Sequence, residues 1–168
     1  MTPSINKFAL TAHITFSVGW LGAVVVYLAL VIAALISADA QMVRAAYLSL
    51  ELIGWFVIVP FGLAALLTGL VQSLGTPWGL FRHYWIVVKL VINILSTLIL
   101  LVHVQPIRHL AHAAAAGTLS AADHSLQIQM VVASGAGLLA LLICTGLAVY
   151  KPRGMTPYGW RKQYQEPE

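Results

Sequence analysis

Phe81-Arg-His-Tyr-Trp-Ile-Val-Val-Lys-Leu-Val-Ile-Asn-Ile-Leu-Ser-Thr-Leu-Ile-Leu-Leu-Val-His-Val-Gln105 decides the fold class. The run exceeds the ~20 residues that cross a ~30 Å hydrocarbon layer. Its few polar side chains fall at helical spacing: Lys89, Asn93, Ser96 and His103 follow i, i+4, i+7, i+14. At about 100° per residue these four share one narrow face. A polar stripe against lipid is costly, which turns it towards other helices or a wet cavity. An ammonium against lipid costs at least ~2.5 kcal/mol on the most lenient scale. Lys89 is therefore expected to face the interior, with a carbonyl, a water or an anionic ligand group in reach. The plainer alternative is a Lys89 stem that snorkels towards the headgroups.

Three further apolar runs, 8–36, 43–72 and 126–150, have the same character, so an all-α bundle of four antiparallel transmembrane helices is expected over one domain, 1–168. The turn-rich link Ser73-Leu-Gly-Thr-Pro-Trp-Gly79 makes the second and third helices antiparallel neighbours. The third helix, 81–105, is expected to end before Pro106. Residues 106–119 read as an Ala/His-rich interfacial stretch, with a short helix stopped at Gly117. Ser120-Ala-Ala-Asp123 has the capping-box pattern and starts the fourth helix, 121–150. The tail 151–168 is polar and reads as partly extended, with Trp160 as an interface anchor.

Charged residues make up 8% of the chain and hydrophobic residues 60%, too little polar surface to cover a water-soluble globule. The first run is about twice the apolar core of a signal peptide and carries His13, Trp20 and Tyr27, so it reads as an uncleaved helix. The net charge of +4 is not gathered in a groove, and nucleic acid is not expected as a partner. Four spans put both termini and the 73–80 link on one side. That side holds Lys7, Arg82, Lys151, Arg153, Arg161 and Lys162, against Arg44 and Arg108 on the other, which predicts cytoplasmic termini in a cell inner membrane. Trp78, Tyr84 and Trp85 read as an aromatic belt at that boundary. The lone Cys144 allows no intrachain disulfide and reads as a small packing residue. No phosphate loop, Ser/His/Asp order or paired acids appear, so hydrolytic and phosphoryl chemistry have no support.

The ionisable residues inside the runs are the candidate sites. His13 and His83 fall at similar depth near the terminal side, on different helices, as bis-imidazole haem ligation requires. Gly19, Gly22, Gly62 and Gly69 offer room for a porphyrin edge, although glycines in membrane helices more often allow close packing. A second haem on His103 and His124 is disfavoured, because His83 and His103 lie about 30 Å apart along one helix. His103, His109, His112 and His124 form an outer cluster with imidazoles suited to Cu or Zn, in a spacing that matches no strong zinc pattern. Glu51 and Lys89 sit at different depths, so no salt bridge joins them. With Asn93, Ser96 and His103 they are candidates to line a polar cavity for protons or ligands. Trp20 lies deep enough to line a flat ligand or to fill the core.

Leu10-Thr-Ala-His-Ile-Thr-Phe-Ser-Val-Gly-Trp-Leu-Gly22, Gly69-Leu-Val-Gln-Ser-Leu-Gly-Thr-Pro-Trp-Gly-Leu-Phe-Arg-His-Tyr-Trp85 and Tyr150-Lys-Pro-Arg-Gly-Met-Thr-Pro-Tyr-Gly-Trp160 resemble segments of uncharacterised bacterial four-helix integral membrane proteins. A looser similarity is to copper-resistance-type membrane domains and b-type cytochrome four-helix bundles, in which an early helix carries a His near a Trp-x-Gly step. His13 and Trp20-Leu-Gly22 fit that outline. Three expectations follow. One is a haem-b electron carrier, with His13, His83 and Trp20 at the cofactor and quinone or a redox protein as partner. Another is a non-enzymatic ion, proton or small-molecule binding protein built on the polar stripe. The third is a structural partner subunit. Association with further copies of the chain is open in each case.

Overall fold

The computed structural model describes residues 2–76 and 79–165. Four long helices dominate: α1 (Pro3–Ile36), α2 (Ala40–Gly75), α3 (Tyr84–Ala116) and α4 (His124–Tyr150), the last entered through a single 3₁₀ turn, Ala121–Asp123. A short α5 (Pro157–Gln165) closes the described chain. The all-α expectation holds over these residues, where the only extended pairing is an isolated bridge between His83 and Met155. Trp78, expected in the aromatic belt, lies outside the described residues.

Successive helices run antiparallel, and each packs on its neighbours around a ring, with α4 returning against α1. One end of the bundle, the terminal end, holds the start of α1, the α2–α3 link and the tail. The other, the loop end, holds the α1–α2 and α3–α4 turns. Two cores fill the ring. Near the loop end, Val31, Ala34, Ala46, Tyr47, Leu50, Ile107, Leu110, Ala111 and Met130 pack together. Nearer the middle, Trp20, Val24, Ile58, Ala65 and Leu141 do so. The outer surface is apolar as well: Phe56 is 75% exposed and Val102 68%. All four helices are long and apolar enough to cross a membrane, and a hydrocarbon surround is the environment in which such side chains face outwards without penalty.

Local chemistry sets the boundaries. Pro3 occupies the first turn of α1 and needs no donor there, so the helix starts before the expected Phe8. Asp39 caps α2 by accepting from Gln41 N at 2.9 Å. Within α2 the residues Gly54–Ile58 widen into a π turn in which Val59 N bonds Gly54 O. Pro60 follows one residue later and brings no N–H, so the wider turn lets the helix pass an otherwise clashing ring.

The expected end of the third helix before Pro106 is corrected. Helix α3 runs through Pro106 to Ala116, absorbing a Pro cost of ~3 kcal/mol. What carries it is burial: Ile107, Leu110, Ala111 and Ala114 beyond the proline are all in the loop-end core, and full burial of one large apolar side chain contributes about 1.5–3 kcal/mol. Gly117 does stop a helix as expected. Its φ of 68° is left-handed, and Gly117 N bonds Ala114 O at 3.3 Å while Thr118 N bonds Ala113 O at 2.9 Å, a Schellman ending. The Ser120–Asp123 capping box forms, with Ser120 N donating to Asp123 Oδ2 at 2.9 Å. The tail is more ordered than expected, because extended residues after Lys151 pair with the lead-in to α3 before α5 begins.

Candidate functional site

Towards the terminal end, polar side chains of the four spans make two inter-helix contacts, one between α1 and α2 and one between α3 and α4. On α2, Thr68 Oγ1 lies 2.6 Å from the Ala64 carbonyl and commits its single proton there. Its oxygen therefore accepts from His13 Nδ1 on α1, at 3.1 Å. This network assigns the proton to Nδ1 and leaves Nε2 of His13 as a lone pair. The ring seats against Gly69, where a β-carbon would stand 3.0 Å from His13 Cε1. On α3, Asn93 Nδ2 donates to the Lys89 carbonyl at 2.8 Å and to Cys144 Sγ on α4 at 3.6 Å. Every long helix thus contributes a polar group to one of these two contacts.

Lys89, Asn93, Ser96 and His103 are each half-buried, and Thr97 beside them is buried. Lys89 Nζ sits over the Trp85 ring, 5.7 Å from its centroid. Among the described residues the carboxylates are Asp39, Glu51 and Asp123, and the bonds they make belong to the loop half. The ring face is what this depth offers a cation. It also draws the amine one turn back along α3 towards the terminal end, so the stem is partly snorkelled. His103 turns back on its own helix, its Nδ1 2.8 Å from Ile99 O.

The remaining candidates separate. Glu51 pairs with Arg108 Nε at 3.9 Å and so belongs to the loop half, not to the Lys89 cluster. His83 caps α3 in extended conformation and bridges to Met155. It stands at the same end as His13, on the helix diagonal to α1. The outer histidines do not converge: His109 bonds Asp123 at 3.0 Å, while His112 and His124 are exposed. Among the described residues no three His, Cys, Asp or Glu side chains gather as a metal site. The reason is helical geometry, since the extra turns of α3 beyond Pro106 distribute His103, His109 and His112 around the axis.

The glycine slots expected to admit a porphyrin edge hold the chain's own side chains. Trp20, 3% exposed, lies against Gly62. Phe61 covers Gly19, and His13 covers Gly69. In this packing Trp20 is core, and a flat macrocycle between α1 and α2 would have to displace it. Sequence reasoning missed Thr68 and took Cys144 as packing alone. The signal for Thr68 was available only through register: once α1 and α2 are antiparallel across a short turn, residue 68 falls opposite residue 13. Comparison with protein-family models, with curated proteins and with solved structures finds no match for this chain.

Proposed function

We propose that the chain is a multi-pass membrane protein that handles a small anion together with a proton through Lys89 and His13. Its termini lie on the cytoplasmic side in this reading, supported by the excess of basic residues at the terminal end. The observation that carries the reading is the pair of polar contacts between spans, His13 with Thr68 and Asn93 with Cys144 and the Lys89 carbonyl, where the carboxylates among the described residues bond elsewhere, in the loop half. An intramembrane ammonium facing a ring rather than an acid draws an anion or its lone pairs. The Nε2 lone pair of His13 accepts a proton, and Thr68 holds the ring for that role. Proteoliposomes carrying the protein should dissipate an imposed pH gradient faster than empty vesicles, and Lys89→Met should return the rate to that of empty vesicles while the protein still folds. Equal rates for the wild type and empty vesicles would sink the proposal.

Haem b is the second reading, and one observation favours it. A ligating imidazole is commonly fixed by a hydrogen bond from its other nitrogen, and His13 Nδ1 is fixed by Thr68. His83 would supply the opposite ligand after Trp20 and its neighbours repack, and quinone would be the natural electron partner. Protein produced with ample haem should then show a Soret band that His13→Ala abolishes. A colourless product rejects it.

A further inference from the structure

Among the described residues, three buried side-chain atoms have no hydrogen-bond partner: Asn6 Oδ1, Tyr47 Oη and Gln72 Oε1. A buried polar atom without a partner is rare and calls for a reason. Tyr47 lies in the loop-end core. Asn6 and Gln72 belong to the terminal end, on the two helices that His13 and Thr68 join.

The register between α1 and α2 places these two at neighbouring levels. It is set by the His13–Thr68 bond and by close seats of His13 on Gly69, Trp20 on Gly62 and Phe61 on Gly19. The helices are antiparallel, so each step towards the start of α1 matches a step towards the end of α2. Gln72, one turn beyond Thr68, therefore falls level with Ala9, and Asn6 falls level with the last turn of α2. Asn6, Ala9 and His13 follow i, i+3, i+7 and share one face of α1. Thr68 and Gln72 follow i, i+4 and share the face of α2 that meets it. Ser73, one turn from Gly69, gives its hydroxyl proton to the Gly69 carbonyl at 2.8 Å and keeps its oxygen as an acceptor. Ala9 is small and buried, and Gly69 has no side chain, so bulky apolar groups do not fill this seam between its start and His13. From Asn6 to His13 is about 10 Å along the helix axis.

The chemistry of the guest follows from the groups on offer. A hard metal ion takes about six oxygens or more, whereas Asn6, Gln72 and Ser73 bring one side-chain oxygen each. An apolar guest would leave both amides unpaired. Water needs about two to four polar partners, and it both donates and accepts. Turning either amide over exchanges an unpaired acceptor for an unpaired donor, and water meets both.

We propose that this seam holds a short file of water that joins His13 to the solvent at the terminal end. As a proton route it rests on the reading of His13 given above; as a water site it stands apart from it. A proton from the terminal-side solvent passes along hydrogen-bonded water and adds to the Nε2 lone pair. The product is an imidazolium that keeps its Nδ1–H on Thr68. Asn6 and Gln72 position the water and do not themselves change protonation.

The test compares the full chain with the double variant Asn6→Leu, Gln72→Leu and with Gln72→Ser. Leucine fills the space and removes the unpaired atoms, a change that is near neutral or stabilising for the fold. Serine keeps a hydroxyl and leaves room for water. Hydroxyl-radical labelling in heavy-oxygen water, read at His13 by mass spectrometry, reports water in the seam. His13 should be labelled in the wild type and in Gln72→Ser, and the double variant should lose the label. Equal labelling of all three overturns the proposal. Proton flux in proteoliposomes then tests the use of the water, and the double variant should be slower than the wild type. A double variant as fast as the wild type overturns the proton route and leaves the function proposed above standing. A wild type that dissipates no gradient removes that function, and the labelling alone then decides the water file.

Discussion

His13 shows how far a single residue can be read before its neighbours are known. An imidazole within an apolar run marks a candidate, but its chemistry depends on which nitrogen carries the proton, and Thr68 decides that. Thr68→Val keeps the shape of the side chain and removes the acceptor. It should remove one of the two acceptors beside the His13 ring, leaving the Ala65 carbonyl, and shift the tautomer balance towards Nε2–H. Nitrogen chemical shifts of the His13 ring would report this directly, and an unchanged tautomer would mean that Thr68 does not orient the ring. The polar stripe through Lys89 was legible from spacing alone, and its members are half-buried. The perch of the Lys89 amine over Trp85 was not, because the spacing of a stripe says nothing about which groups lie opposite it. The separation of Lys89 from Glu51 was expected from their depths, and Glu51 does stand beside Arg108.

Among the elements, helix type and number followed from the length of the apolar runs, and errors gathered at the ends. Helix α3 is the clearest case. Pro106 is a sound local stop signal, yet the residues beyond it have apolar partners on α1 and α2 that no local signal reveals. Tertiary burial overrode propensity there. At Gly117 and at Ser120–Asp123 the local signals sufficed, because capping is satisfied within a few residues of chain. Gly117 also allows a clean test. A β-carbon at this position meets nothing within 4 Å, so Gly117→Ala has no steric penalty beyond that of the left-handed backbone, about 1–2 kcal/mol. The expected result is faster amide exchange at Thr118 and along the last turn of α3, with the bundle core unchanged. Unaltered exchange would show that the αL ending does not hold this turn.

At the scale of the whole molecule, the order of helices around the ring and the uneven distribution of basic residues predict one arrangement in a bilayer. Single cysteines introduced at positions 2 and 165, in a Cys144→Ala background, should react with a membrane-impermeant maleimide only from the cytoplasmic side. A cysteine at position 117 should react only from the opposite side. Labelling of position 2 from outside would invert the assignment.

The tie between Thr156 and the Phe81 carbonyl joins groups 75 residues apart in the chain. Helix α3 is therefore synthesised long before the segment that pairs with its lead-in. Until the segment around Thr156 leaves the ribosome, the peptide bond after Arg82 is an open flank, and that segment then acts as its latch. A chain ending at Tyr150 should still insert all four long helices but leave that bond open to trypsin, whereas the full chain should resist cleavage after Arg82 even once Arg161 and Lys162 have been cut. Fragment masses from a timed digest would distinguish the two, and equal protection would mean that the tail guards nothing.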